Sequence, residues 1–239
     1  MDKAHQLVQM RLQNRKNQQG FTLIEILVAL VLISLMLFFA IDIKITPRQK
    51  LDEALDKTER ALRFAQDESV LRNAVVRVRI NLETTPQTIT VEYGPNENFV
   101  LPVENEEKLV KSKDEEAQLK KAQENLNKKF NRVPEIEDES LEIPEGISLF
   151  ALSNDNKKKL TTKGEISLYS FPSGERDSGL LFFASVDEVA SLSMDSYAQS
   201  FDREYFLIEQ KPDESSKDQE EKLLEMAQDI YKKWTLEGN

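Results

Sequence analysis

The first 73 residues change from a continuous apolar stretch to an amphipathic pattern. Between residues 21 and 41 only three side chains are polar: Thr22, Glu25 and Ser34. As a helix rising 1.5 Å per residue, this stretch would be about 31 Å long, which matches the hydrocarbon core of a bilayer. We therefore predict a transmembrane helix over 21–41.

A second helical segment is predicted over 42–73, with an interruption at Pro47. Four apolar residues recur in it at spacings of four, seven and three: Leu51, Leu55, Leu62 and Ala65. Such a stripe is typical of a helix that packs one face against a core. Together the two segments predict a long N-terminal helix with a membrane half and an amphipathic half.

Residues 74–210 are predicted to form a β-rich domain. Alternating or continuous apolar stretches, bounded by turn residues, predict strands at 76–82, 89–93, 99–103, 147–152, 165–171, 179–184 and 205–208. Gly94, Pro95 and Asn96 are expected to end the second of these strands. The segment 186–200 gives no clear pattern. Short alternating strands joined by turns favour antiparallel sheets, so the predicted fold class is α+β.

Two charge-rich segments interrupt this pattern. In 104–142 five residues keep one helical face: Leu119, Ala122, Leu126, Phe130 and Val133. This segment predicts either an exposed amphipathic helix inserted between strands or a partly disordered loop. A C-terminal helix is predicted within 211–239, where Ser216 and Gln219 have capping-box spacing. Its apolar stripe is expected to dock on the chain's own sheet or on a neighbouring subunit.

Charge and residue inventory exclude several classes of function. The 239-residue chain has a net charge of −11, and loss of its basic first 20 residues would leave about −14, which argues against a nucleic-acid partner. It has no cysteine, and its only histidine is His5. Thiolate chemistry, His-dependent triads and common zinc sites are therefore excluded after loss of the leader. With no phosphate-binding loop or calcium-loop motif, we predict no catalytic residue, cofactor or metal, and no enzymatic activity.

The start of the apolar stretch carries the most specific motif, Gly20-Phe21-Thr22-Leu23-Ile24-Glu25, behind a basic leader. A carboxylate within a membrane segment costs about 2.5–3.5 kcal/mol on insertion scales and usually marks function. The pattern closely resembles the class III signal of type IV pilins and of type II secretion pseudopilins. The resemblance implies that a prepilin peptidase cleaves after Gly20, that Phe21 is N-methylated, and that Glu25 pairs with the terminal amine of a neighbouring subunit.

Two simpler interpretations of this N-terminal region fit less well. An ordinary secretory signal would have a shorter apolar core and a small-residue cleavage site, neither of which is present here. A plain signal anchor would not need the Gly20–Glu25 junction. Because the leader is basic, the positive-inside rule keeps it cytoplasmic. We therefore expect a single-pass inner-membrane protein whose C-terminal domain lies in the periplasm.

Two later stretches narrow the resemblance. Leu62–Gln66, and Ile166–Gly174 followed by the apolar strand Leu180–Ala184, are similar to the H-type minor pseudopilin and to FimT-like pilins. This resemblance implies a structural subunit near the tip of a periplasmic pseudopilus that supports protein export. Its implied partners are other minor pseudopilins, the major pseudopilin, prepilin peptidase and the inner-membrane secretion platform. The segment 104–142 and the C-terminal helix exceed a compact H-type domain.

Two other functions remain open at this point. A minor type IV pilin that primes pilus assembly or takes up DNA would share every N-terminal feature, although the FimT-like relatives that bind DNA use a basic C-terminal segment. Here that segment is acidic: Asp213, Glu214, Asp218, Glu220 and Glu221. A membrane-anchored periplasmic enzyme is the second alternative, and the loss of His and Cys with the leader disfavours it.

Overall fold

The computed structural model describes residues 22–40, 46–96, 113–134, 141–154, 159–208 and 215–236. The chain divides into two compact units, Met1–Lys44 and Ile45–Asn239. In the first unit the described element is one helix, α1 (Leu23–Ala40). The described part of the second unit contains three helices and two antiparallel sheets.

Helix α1 lies within the segment predicted to span a membrane, 21–41. It has 18 residues, with Glu25 in its first turn, and is therefore about 27 Å long. In the parts of the chain that the structure describes, no helix combines the length and the apolarity needed to cross a membrane.

The second unit begins with helix α2 (Pro47–Arg72). Thr46 caps this helix: its hydroxyl accepts from the Gln49 N–H at 3.2 Å, and the Gln49 side chain accepts from the Thr46 N–H at 2.9 Å. Pro47 occupies the first helical position, where its missing N–H leaves no bond unmade. It thus starts a helix instead of interrupting one. The helix ends at Asn73, which adopts the left-handed conformation (φ 49°).

The buried face of α2 confirms the predicted stripe. Its buried residues are Leu51, Ala54, Leu55, Thr58, Ala61, Leu62, Ala65 and Ser69. They join apolar residues from both sheets in one core, which includes Val78 and Ile80 from one sheet and Leu181 and Phe183 from the other. Helix α2 therefore organises the main core of the unit.

Sheet A consists of β1 (Ala74–Asn81), β2 (Thr88–Asn96), β3 (Asn131–Arg132), β4 (Leu141–Glu142) and β6 (Glu165–Ser170). Its strand order is β3-β2-β1-β6, and β4 also pairs with β2. Sheet B consists of β5 (Ser148–Asn154), β7 (Gly179–Ala184), β8 (Glu188–Met194) and β9 (Phe201–Leu207), in the order β5-β7-β8-β9. Two antiparallel sheets with packed helices confirm the α+β prediction.

Three strand predictions need correction or completion. Strand β2 does not end before Gly94 but continues to Asn96, which pairs with Ala74 across a register shift in β1. Such an irregularity leaves room for a proline within a strand. The ambiguous segment 186–200 contains β8, and β9 begins at Phe201, four residues before the predicted strand. The predicted strand at 99–103 lies outside the described residues.

The charge-rich insertion is anchored on sheet A and is more than a solvated addition. Its helix, α3 (Lys113–Asn127), ends before the predicted apolar stripe does. Beyond it, Phe130 and Val133 are buried, and the Val133 N–H donates to the Val91 carbonyl at 3.1 Å. A side-chain carbon on Gly94 would lie 2.6 Å from the Phe130 ring, so glycine makes the space that this ring occupies.

A buried ion pair lies beneath this anchored end of the insertion. Arg77 is 0 % exposed and donates to Glu92 Oε2 from Nε at 2.8 Å and from Nη2 at 2.5 Å. Its Nη1 donates to Asn127 Oδ1 at 2.8 Å, and its Cζ lies 4.0 Å from the centre of the Phe130 ring. Arg79 reaches the second Glu92 oxygen at 2.8 Å. The ion pair thus links two strands of sheet A to the end of α3.

The C-terminal helix α4 (Ser216–Leu236) docks on the chain's own sheet B. Apolar residues of α4 pack against the outer face of that sheet: Leu223, Met226, Ala227, Ile230, Tyr231 and Trp234. The predicted capping box lies one residue earlier than expected, because Ser215 and Asp218 exchange backbone-to-side-chain hydrogen bonds at 3.3 Å. The residue that begins the helix is therefore Ser216, and Ser215 is its cap.

Candidate functional site

Glu25 belongs to a capping box at the start of α1. The Thr22 N–H and the Thr22 hydroxyl both donate to Glu25 Oε2 at 3.2 Å, and the Glu25 N–H donates back to the Thr22 hydroxyl at 3.3 Å. These bonds satisfy donors that a helix N-terminus leaves unpaired. They also hold a carboxylate at the positive end of the helix dipole. Sequence reasoning noted Thr22 only as a polar residue, although the Thr-x-x-Glu spacing was the available signal.

The other two predicted site residues, Gly20 and Phe21, lie outside the described residues. Cleavage after Gly20 and methylation of Phe21 therefore stay predictions. Chain order alone places Phe21 directly before Thr22. A cut after Gly20 would leave the Thr22 N–H in a peptide bond, so the capping box would survive in the mature chain.

The surface of α1 is apolar on every side. Its large side chains from Leu23 to Met36 are all at least half exposed: Leu23, Ile24, Ile26, Leu27, Val28, Leu30, Val31, Leu32, Ile33, Leu35 and Met36. A helix that is apolar all round is stable only in a membrane or inside a larger assembly. Glu25 is thus the one carboxylate in a helix of this kind.

The residues that are similar to the H-type pseudopilin come together in the second unit. Gln66, in the stretch Leu62–Gln66, donates from Nε2 to the Gly174 carbonyl at 2.7 Å. Ser69, one turn later, donates to the Phe171 carbonyl at 2.9 Å. Two stretches about 100 residues apart in the chain are therefore in direct contact between the end of α2 and the turn after β6.

A charged groove of about 510 Å³ runs along α2 beside β9. Its charges pair with one another: Arg203 reaches Asp56 at 2.8 Å and Glu59 at 2.5 Å, and the Tyr205 hydroxyl donates to Asp52 at 2.9 Å. Burial lowers the pKa of Arg203, but its hydrogen bonds to Glu59 and Asp56 outweigh that effect and raise it. This groove is a seam of ion pairs between a helix and an edge strand.

Within the described ranges, no group of three or more His, Cys, Asp or Glu side chains is placed to hold a metal ion. The prediction of no metal and no catalytic residue stays a prediction.

Comparison with known families identifies the N-terminal region. Residues 15–41 match the prokaryotic N-terminal methylation motif, which covers the leader, Gly20, Phe21 and all of α1. No curated protein and no solved structure matches the chain. The match supports a type IV pilin-like or pseudopilin protein. The motif implies processing by prepilin peptidase, assembly with other pilin-like subunits and an N-terminus anchored in the inner membrane.

Proposed function

We propose that this chain is a minor pseudopilin of a type II secretion system and has no catalytic activity of its own. In this proposal residues 21–41 anchor the subunit in the inner membrane, and the second unit lies in the periplasm. Prepilin peptidase cleaves after Gly20, and Phe21 becomes the methylated N-terminus. The observation that carries the proposal is Glu25, a capped carboxylate at the start of an apolar helix that lies inside the matched motif.

The physical role of Glu25 follows from its surroundings. An unpaired carboxylate in hydrocarbon is costly, and an incoming ammonium relieves that cost only after assembly. Because Thr22 directs the carboxylate toward the helix start, it lies where a second subunit's terminal amine can approach along the filament axis. Loss of one partner from such a pair leaves a buried charge, which is more damaging than loss of both.

The contact between the end of α2 and the turn after β6 supports the H-type assignment. The Gln66–Gly174 and Ser69–Phe171 bonds join the two stretches on which that resemblance depends. As an H-type subunit, the protein would lie near the tip of the pseudopilus. Its neighbours would be other minor pseudopilins and the major pseudopilin, and it would support protein export across the outer membrane.

Three substitutions test the N-terminal part of this proposal in the native host. We expect Gly20→Ala to leave the precursor uncut. Glu25→Ala and Glu25→Gln should both be cut but should fail to assemble. Glu25→Gln is the informative variant, because glutamine can keep the capping box while it removes the charge. Processing is read by mass, including one methyl group on Phe21, and assembly by recovery in sheared filaments.

The outcomes separate two roles for the carboxylate. If Glu25→Gln assembles like the wild type, the carboxylate serves only as a helix cap, and its pairing with an amine is rejected. If uncut Gly20→Ala protein assembles normally, the prepilin assignment itself fails.

Crosslinking of the mature protein in native membranes, followed by mass spectrometry, distinguishes the secretion system from a pilus. Recovery of other pseudopilins and the secretion platform would support the proposal. Recovery of a major pilin and pilus-assembly proteins would instead make the chain a minor pilin that primes pili. Recovery of no filament subunit would favour the membrane-anchored enzyme.

A further inference from the structure

The end of the second unit at which α2 finishes exposes three large apolar side chains. Val70 and Leu71, in the last turn of α2, are 53 % and 77 % exposed, and Tyr197, in the loop between β8 and β9, is 79 % exposed. We call this the α2-end surface. Exposed leucine and tyrosine side chains gain nothing for the stability of an isolated domain.

Hydrogen bonds show that these residues share one end of the unit. Gln66 and Ser69 tie the last turns of α2 to the turn 171–175. Glu175, in that same turn, accepts from the Tyr197 hydroxyl at 2.7 Å. Helix end, turn and loop thus form one connected surface.

A buried arginine fixes the loop that presents Tyr197. Arg176 is only 3 % exposed and donates to three carbonyl oxygens of the loop: Asp195 at 3.0 Å, Ala198 at 2.6 Å and Ser200 at 3.1 Å. Arg63, on α2, donates to a fourth carbonyl, that of Gln199, at 3.0 Å. Most exposed loops are mobile, but four charge-assisted bonds hold this one in a single shape.

A rigid loop that exposes a tyrosine is suited to binding. Aromatic side chains dominate the energetic centres of protein interfaces. A group that is already ordered before association loses little conformational entropy when it binds. The α2-end surface therefore has the properties of a preorganised protein-binding site.

Charge indicates what kind of partner this surface fits. Asp67 is exposed beside Val70 and Leu71, and Glu175 lies beside Tyr197, so the apolar side chains have an acidic edge. The whole chain is acidic, with a net charge of −11. Like charges disfavour contact with a second copy, whereas a surface edged by Lys or Arg is complementary.

We propose that the α2-end surface docks the globular part of a different pilin-like subunit, one that presents an apolar patch edged by basic side chains. This inference rests on the proposed function and adds the location of one subunit interface. Tyr197 and Leu71 are the anchors, and Arg176 is a positioning residue that acts through the loop.

Site-specific photo-crosslinking in native membranes tests the inference with a matched control. A photoreactive amino acid is placed at residue 71, at residue 197, or at residue 207 in the full-length chain. Leu207 is 76 % exposed, almost the same as Leu71. It pairs with Glu188, which binds Arg48 in the first turn of α2, so it lies at the opposite end of that helix. We expect residues 71 and 197 to crosslink to the same foreign subunit and residue 207 not to do so.

Substitutions then measure the energetic part. Leu71→Ala combined with Tyr197→Ala should lower the yield of the complex by about tenfold or more, as expected for interface anchors. Tyr197→Phe keeps the ring and should retain most of the yield. Leu207→Ala should have no effect. Normal amounts of processed protein in each variant show that the chain still folds.

The results distinguish this inference from the proposed function. If Gly20 is cleaved and Glu25→Gln blocks assembly, but residues 71 and 197 give no crosslink or crosslink only to a second copy, the docking surface is wrong and the pseudopilin assignment stands. If processing and assembly themselves do not occur as proposed, the assignment fails independently of the crosslinks.

Discussion

The outer faces of the two sheets are covered by different chemistry. Sheet B is covered by α4, whose apolar side chains pack on Phe182 and Val189. Sheet A is covered by the end of the insertion, where the Arg77–Glu92 ion pair lies beneath Asn127 and Phe130. Apolar burial adds stability roughly in proportion to area. A buried ion pair contributes little net stability, but it strongly penalises the loss of either partner. The two covers should therefore respond differently to mutation.

The largest effect is expected at the ion pair. Glu92→Ala leaves the Arg77 guanidinium buried with its carboxylate partner removed, and we expect it to lower the free energy of unfolding by about 3–5 kcal/mol. Denaturant titration of the purified full-length protein in detergent measures this loss. Because Asn127 also binds Arg77, hydrogen exchange should increase across α3 at the same time.

A double variant is the control for this prediction. Arg77→Met combined with Glu92→Leu removes both charges and keeps apolar volume, so its stability should be close to that of the wild type. A loss as large as that of Glu92→Ala would mean that the charges themselves hold the insertion, and the comparison between the two covers would need revision.

A smaller effect is expected at the apolar cover. Ala227 is the α4 residue packed most tightly against sheet B and is fully buried. Ala227→Leu adds volume where there is no space, and such overpacking costs about 1–3 kcal/mol. Hydrogen exchange should become faster in α4 and stay unchanged in α3. Glu225→Leu, on the exposed side of the same helix, serves as the matched control and should change stability by no more than about 0.5 kcal/mol.

This difference in chemistry also explains which elements sequence reasoning could predict. The stripe from Leu223 to Trp234 has helical spacing and predicted both α4 and its docking face. Arg77 and Glu92 occupy polar positions of alternating strands, which a sequence pattern assigns to the solvent side. The residue that turns them into a buried pair, Asn127, lies 35 positions or more away and in a charged segment. The anchored insertion was therefore beyond what local patterning could reveal.

The candidate site follows the same rule. Glu25 and its junction were predicted because their signal is contiguous, and the Thr22 cap was available from the same few residues. Arg176 was not predicted, because its role depends on carbonyl groups in a loop that follows it by 19 to 24 residues. Interactions with backbone carbonyls leave no pattern in the sequence.

The smallest effect separates burial from charge and is expected at the seam between α2 and β9. Glu59 binds Arg203 and Arg63 there. Burial raises the pKa of Glu59, but the hydrogen bonds from these two arginines outweigh it and hold the pKa below its usual value of 4.5. Since the folded protein favours the ionised form, Glu59 stabilises the fold above pH 4.5, and this contribution is lost as the pH falls through the lowered pKa.

Glu59→Gln should therefore cost only about 0.5–1 kcal/mol at pH 7, as is typical of solvent-accessible ion pairs. The difference from the wild type should shrink as the pH falls below 4.5, and thermal unfolding over a pH series measures it. The same charge chemistry thus costs several times less here than at Glu92, because water can replace the lost partner. If Glu59→Gln were as damaging as Glu92→Ala, charge and not burial would determine the cost, and the contrast between the two sheet covers would lose its physical basis.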